Sequence, residues 1–402
     1  MGQSSKVSPG TPPQERRPKV SLSKQDERLI CRFELSARRE LRRLIRTSPR
    51  FTELAEVFPG AAYVLATRQG EKDQRRKAAK LVRDGAKLKT IAHTLELPLW
   101  LRRLPPSAFN GPLPPLPDSE TFARRVAARL PAESADATFW LASVAFAAAA
   151  VHEDFALWLV EQSICSQDAK PERLFAVLAA YAWYSGALLT PAHDLIVVPW
   201  RPEIAFDTAL CAAKSWLNRL RLVMQLEPGT IADSWLRPGE AMGLTFVPLI
   251  EQSEILEEAQ AMQNCADQYA DRLAREKCRL FSIRRGASRL ATLEIGPHPR
   301  ETGVLAITQL KARHNMPASV EIWQAAHAWL ATQPGLKRLP PMVAPERALN
   351  SKVWTDLMEP YRQRKNGADW LPSIPTQVAF ARLDSDMTDL ARRAGVTSWL
   401  FT

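Results

Sequence analysis

Cysteine is sparse in this chain, and what there is falls in no useful pattern. The five residues, Cys31, Cys165, Cys211, Cys265 and Cys278, are odd in number and widely spaced, with no CxxC pair. That argues against a disulfide framework and against a zinc site, and reduced thiols in a cytoplasmic compartment are the simplest expectation. Long apolar runs are missing too. The most apolar stretch, Phe139 to Val151, ends at once in His152-Glu153-Asp154, whereas a spanning helix needs roughly 20 apolar residues. A buried helix is expected there. Residues Met1 to Lys24 are polar and rich in Pro and Ser, without the apolar centre of a signal peptide. There is no Walker-type or GxGxxG loop, no paired-carboxylate or His/Cys ligand spacing, and no repeat of fixed period. Neither a metal nor a bound cofactor is therefore expected.

Positive charge is plentiful and concentrated. The formal net charge is +11. Residues 1–105 hold 24 Lys and Arg against 11 Asp and Glu, so the whole excess lies in the first quarter. Such concentration points to an anionic partner, most often nucleic acid, or to a solvated basic face that aids solubility.

At 402 residues the chain allows two or three domains, at roughly 150 residues each. Composition shifts suggest finer segments: a disordered basic tail at 1–22, a basic helical domain at 23–104, and a proline-rich linker at 105–118. A helical domain at 119–238, an α+β module at 239–335 and a C-terminal helical extension at 336–402 follow. In the basic domain a helix is predicted from Gln25 to Thr47, with Ile30, Phe33, Ala37, Leu41, Leu44 and Ile45 as its buried stripe. Its outer faces carry Arg38, Arg39, Arg42, Arg43 and Arg46. A second helix, Glu71 to Arg83, carries Arg75, Arg76, Lys77, Lys80 and Arg83. These ten cations are the candidate phosphate contacts. Shorter helices at 88–95 and 98–104 complete the outline of a helix-turn-helix. The would-be reading helix, Leu99 to Leu104, is mostly apolar and almost free of base-reading amides, which favours packed helices with a basic rim.

The fold class expected is α+β, mostly helical for two-thirds of its length, then a small module with a three-stranded antiparallel sheet flanked by helices. After a brief extended piece at Thr245–Leu249, Ser253 is placed to cap a helix that runs, itself or through a close successor, to Leu273. Strands are predicted at Cys278–Arg285, Leu290–Ile295 and Val304–Lys311, with a hairpin turn at Arg285-Gly286-Ala287-Ser288. Alternation separates two faces. Phe281, Ile283, Ala291, Leu293, Ile295, Ala306 and Leu310 form an apolar one. Ser282, Arg284, Thr292, Glu294 and Gln309 form a polar one. Cys265 and Tyr269 share a helix face beside it, with Asn264 adjacent, and Asn315 follows the third strand. Each has an ordinary structural role open to it: Cys265 as a buried thiol, Tyr269 as a packed ring bonded to Glu294 or Gln309, Arg284 and Glu294 as a cross-strand ion pair.

The run Met262-Gln263-Asn264-Cys265-Ala266-Asp267-Gln268-Tyr269 resembles the M-x-H-C-V-x-x-Y signature of the PcfJ-like family. Phe281 to Arg284, Ala291 to Ile295 and the Gln309 to Asn315 spacing are similar to that family's strands and its Q-x(5)-N element. Phe246 to Leu249 and Pro98 to Pro106 resemble blocks of its longer members. The family takes its name from a conjugative-plasmid open reading frame, and its members occur in bacteria and on mobile elements. The resemblance implies a fold and a site more than a reaction. Asn264 stands where the family has His, and Ala266 where it has Val; if that His serves as an acid or base, Asn264 cannot replace it.

Three functions remain open from the sequence. The leading one is a nucleic-acid-associated factor of a plasmid or mobile-element system, whose basic N-terminal helices would bind phosphate backbone. Another is an enzyme acting on nucleic acid or protein through Tyr269 or Cys265, with Arg284 as anion clamp and Glu294 as acid or base. A third is a scaffold for a protein partner of the same system.

Overall fold

The structure, a computed structural model, describes residues 22–131, 136–162, 164, 168–226, 231, 233–337, 349–364 and 370–396. The tail expected at 1–22 lies outside the described residues except for Leu22. The chain forms two compact units, residues 1–141 and 142–402.

In the first unit, α1 (Lys24–Cys31) begins at a capping box: Ser23 Oγ accepts from the Asp26 amide, and the Asp26 carboxylate accepts from the Ser23 amide. The helix predicted from Gln25 to Thr47 is in fact two, because the chain breaks after Cys31 and α2 (Leu35–Thr47) starts afresh. The cause lies downstream. Arg38 donates to the carbonyls of Phe33 (2.7 Å) and Cys31 (2.8 Å), satisfying backbone acceptors that the break exposes. The expected stripe is buried all the same at Ile30, Phe33, Ala37, Leu41 and Ile45, whereas Leu44 is only half-buried.

Four more helices follow: α3 (Arg50–Val57), α4 (Pro59–Thr67), α5 (Lys72–Arg83) and α6 (Leu88–Thr94). Helix α4 is apolar almost all round and forms the centre of the unit. Gly60 permits its close contact with Phe109, since a Cβ there would stand 3.0 Å from the Phe109 ring. The would-be reading helix is a 3₁₀ turn, Leu99–Arg103, whose Trp100 and Leu101 are buried. Side chains sunk in the core cannot read a groove, so this is packed helix with a basic rim. The segment 105–118, expected as a linker, instead packs into the unit. Phe109 is fully buried against Tyr63, and Trp100 Nε1 donates to the Pro117 carbonyl at 2.9 Å. Helix α7 (Glu120–Val126) is capped by Ser119.

Helix α8 (Ala137–Ala150) carries the chain from the first unit into the second and buries most of the apolar run predicted there. No described helix is long and apolar enough to cross a membrane. In the second unit α9 (Glu153–Val160), α10 (Pro171–Leu174), α11 (Ala176–Gly186) and α12 (Pro191–Asp194) lead to the long α13 (Phe206–Gln225), whose Trp216 is buried as its periodicity predicts.

The module then forms an antiparallel sheet in the order β1-β2-β3-β4-β5. The fold class is α+β, with five strands instead of three. The two added ones are β1 (Gly239–Ala241), which was not foreseen, and β2 (Leu244–Pro248), the extended piece expected at Thr245–Leu249 but not counted in the sheet. They are joined through Met242 and Gly243, both at positive φ as a two-residue hairpin turn requires. After β2 comes α14 (Gln252–Met262), capped by Glu251 and Glu254 in a reciprocal box and not by Ser253. It stops at Gln263, which is left-handed (φ 49°). A 3₁₀ turn, Ala266–Tyr269, and the short α15 (Ala270–Ala274) replace the predicted continuation.

Strands β3 (Arg279–Arg285), β4 (Ser288–Pro297) and β5 (Leu305–Ala312) place Phe281, Leu293 and Leu310 in one row, with Phe246, Ile283 and Ala291 in the next. Helix α16 (Val320–Ala331) closes this face: Trp329 stacks on Phe246 with centroids 4.6 Å apart and leans on Phe281 at 5.0 Å. One expected member is absent. The register slips after Glu294, where Thr308 is the extra residue of a bulge, so Leu305 and Ile307 join the core in place of Ala306. The other face lies under α13, α14 and α15, whose Leu222, Ile255, Ala259 and Leu273 pack with Leu280. Helices α17 (Ser351–Arg364) and α18 (Gln377–Arg393) flank α13, where Lys214 pairs with Asp384.

Candidate functional site

The polar residues predicted for the sheet face do converge. Asn264, Cys265 and Tyr269 from the turn after α14, Thr292 and Glu294 from β4, Gln309 from β5, and Asn315 just beyond it line one cavity, together with Ala266, Leu280 and Lys311. Local structure explains why. Left-handed Gln263 ends α14 with a sharp change of direction, and the Asn264 amide bonds back to the Ala259 carbonyl. The Asn264 side chain then accepts from the Ala266 amide at 3.1 Å, holding the turn. On the far side, His314 and Asn315 are both left-handed, which brings the Asn315 amide to the Cys265 thiol (3.7 Å).

Arg284 is the exception. It bonds Ser282 Oγ at 3.0 Å near the hairpin end and does not line the cavity. The cation on Glu294 is instead Arg272, with Nη1 on Oε2 at 2.9 Å and Nη2 on Oε1 at 2.5 Å. Thr308 Oγ1 donates to Oε1 at 2.6 Å, and the Tyr269 hydroxyl reaches Oε2 at 2.9 Å. Glu294, only 4% exposed, is thus surrounded by donors. It is an anchor with no lone pair left for acid–base work. Tyr269 also lies 2.7 Å from the side-chain oxygen of Gln309. A phenol has one proton, so all three groups are satisfied only when Gln309 presents its NH2 to Tyr269 and Tyr269 donates to Glu294.

A second chain runs alongside. Asn264 Nδ2 donates to Thr292 Oγ1 (2.8 Å), and Thr292 donates to Glu258 Oε1 (2.8 Å). Glu258 is fully buried, with Arg289 Nε 3.0 Å from its other oxygen. Beneath the turn, buried Asp267 takes Arg219 Nε and Ser215 Oγ from α13, each at 3.1 Å.

The electrostatics match this closed arrangement. Burial, and then the Glu294 carboxylate, push the Tyr269 hydroxyl far above its ordinary value, so it stays protonated. Burial, with Asp267 next, raises the Cys265 thiol, the opposite of what an activated nucleophile needs. No histidine lines the cavity: His298 Nδ1 accepts from the Arg300 and Glu301 amides in its own loop, and His314 is exposed. The cavity holds about 20 Å³, room for one water. Among the described residues no group of three His, Cys, Asp or Glu side chains could hold a metal ion.

Alternation could have found Lys311, two residues beyond Gln309. Helical spacing could have found Arg272, three beyond Tyr269. Glu258, Asp267 and Thr308 give no such signal, since their roles depend on partners distant in sequence.

The ten cations of the first unit divide. Arg38 clamps the α1–α2 break, Arg42 pairs with Glu27 (2.9 Å), Arg43 with Glu40, and Arg76 with Asp73 (3.7 Å). Arg75 donates to the Gln69 and Gly70 carbonyls, and exposed Arg46 stands near Glu27. Arg39, Lys77, Lys80 and Arg83 are exposed and make no hydrogen bond or ion pair among the described residues. No family model matches the chain, and neither the curated proteins nor the solved structures contain a match to it.

Proposed function

We propose that this protein is a nucleic-acid-associated factor whose first unit holds the phosphate backbone, of the plasmid or mobile-element kind that the PcfJ-like resemblance implies. One observation carries the reading. Three cations of α5 are left without a side-chain partner among the described residues: Lys77, Lys80 and Arg83 stand on its exposed side, at spacings of three that bring them along one flank. The polar cluster of the module weighs against the enzyme reading, because its groups satisfy one another, its thiol and phenol are held protonated, and its cavity admits no substrate group. In this proposal the module supports the fold and offers its outer surface to partners.

Binding of a fluorescent oligonucleotide, followed by anisotropy across a salt series, tests this. Affinity falls linearly with the logarithm of salt, and the Lys77→Gln/Lys80→Gln/Arg83→Gln variant flattens the slope by about 0.9 per lost contact on duplex DNA. No binding at low salt, or an unchanged slope in the triple variant, removes the proposal.

A further inference from the structure

A wide cleft lies in the first unit. It has a volume of about 730 Å³ and is walled by Arg28 of α1, Arg32 just after it, and Arg102 and Arg103 of the 3₁₀ turn. We infer that this cleft binds a phosphate monoester carried on a nucleotide, whether free or at the end of a nucleic-acid strand.

Four observations support it. Arg28 and Arg32 are four apart at the end of α1, and Arg102 and Arg103 line the same space, so four guanidinium-bearing side chains border one cleft. None of the four makes a hydrogen bond or ion pair among the described residues, although Arg38, Arg42 and Arg43 on the next helix all do. Glu56 is the only acidic side chain among the described residues of the lining. Four like charges on one concavity repel each other unless an anion sits between them, and guanidinium forks match phosphate oxygens two at a time.

The size is the second discriminator. A cleft of this volume falls within the roughly 300–1,000 Å³ of small-ligand sites, whereas a continuous backbone calls for a stripe of charge. A monoester brings close to two negative charges against one for a diester, which suits convergent cations. Beside Gln25 and Glu56, the rest of the lining includes apolar Leu29, Ala55, Pro59, Leu104, Pro105, Pro106 and Pro131, against which a sugar or base can rest. The site is also preformed, since buried Trp100 and Leu101 fix the turn that carries Arg102 and Arg103. The strand-end source rests on the nucleic-acid reading proposed above; the free-nucleotide source does not.

The test uses the full chain in about 0.15 M salt. Single-stranded oligonucleotides of one sequence, with a phosphate at either end or hydroxyls at both, are compared by anisotropy, and adenosine monophosphate is titrated by calorimetry and as competitor. A phosphorylated end is expected to bind about tenfold tighter than a hydroxyl end, as a charge-assisted contact implies. The Arg28→Gln/Arg102→Gln variant loses that increment and keeps its hydroxyl-end binding within about twofold. Both side chains are exposed, so the variant folds, and an unchanged melting curve verifies it. Equal binding of all oligonucleotides with no nucleotide binding overturns the cleft assignment and leaves backbone binding intact. Nucleotide binding lost in the double variant, without any oligonucleotide binding, supports the cleft for free nucleotides while the backbone reading falls. An increment that persists in the double variant places the phosphate elsewhere and overturns the inference.

Discussion

Arg83 and Glu294 mark two ways in which this protein houses charge. Arg83, at the end of α5, is exposed and bonded to nothing described. Glu294, in the middle of β4, is buried under four donated contacts. Both carry charge in segments that the sequence marks as functional. A charge in water keeps its hydration and remains available to a partner, whereas a buried charge exists only because its neighbours replace the water it lost. Free groups on the first unit and saturated groups in the module therefore suggest binding in one place and architecture in the other.

The sharpest test of that contrast is Glu294→Ala. It takes the carboxylate from Tyr269, Thr308 and Arg272, leaving Tyr269 with Gln309 and Arg272 with water and the Tyr269 ring, and a loss of about 3 kcal/mol in urea denaturation is expected. A loss below about 1 kcal/mol would mean that the cluster is not structural.

The first unit also has a saturated buried group, Tyr63, whose hydroxyl reaches Glu34 at 2.9 Å. Burial, and then that hydrogen bond and the Glu34 charge, push its pKa from 10.0 up to about 12. The folded value is raised, so the stability it supplies is fully present below pH 10 and is lost as pH climbs toward about 12. Across that window the protein should lose about 2 kcal/mol more than Tyr63→Phe, measured by denaturation at stepped pH. Parallel curves would show that the phenol contributes nothing.

Asn264→His, which installs the residue of the PcfJ-like signature that this run resembles, should cost about 1 kcal/mol, since the bulkier ring sets its donor and acceptor nitrogens in other directions than the amide that bonds Thr292 and Ala266. A gain in stability would show that the turn accommodates His. Smallest of all, the α5 triple glutamine variant should change stability by no more than about 0.5 kcal/mol while it weakens oligonucleotide binding. Destabilisation beyond that would show those cations to be structural after all, and the contrast would collapse.

Much of this was legible in advance wherever a pattern repeats. The buried stripe from Ile30 to Ile45 follows helical spacing, and β3 and β4 follow alternation, so the convergence of Thr292, Glu294 and Gln309 could be read from the residues alone. Single long-range contacts were not legible. The break after Cys31 depends on Arg38 reaching backward, and the ion pair on Glu294 depends on Arg272 lying across the turn while Arg284 sits too near the hairpin. Strand β1 escaped, and with it the pairing of the extended piece that became β2, because β1 is short and the turn between them holds Met242, a residue seldom found at positive φ. The free state of Arg28, Arg32, Arg102 and Arg103 is likewise a property of tertiary placement. Nothing in their local sequence separates them from the paired arginines nearby.

The bulge at Thr308 has a consequence for how this protein meets its own copies. Strand β5 is the outer edge of the sheet, and such an edge is a template on which another chain can add a strand. An extra residue twists the edge and breaks the regular spacing of its outward donors and acceptors. Isolated bridges from Pro317 to Lys311 and from Lys337 to Val304 occupy parts of what remains. At the opposite edge, β1 is three residues long, too short to template much. The sheet is thereby guarded at both margins against edge-to-edge aggregation.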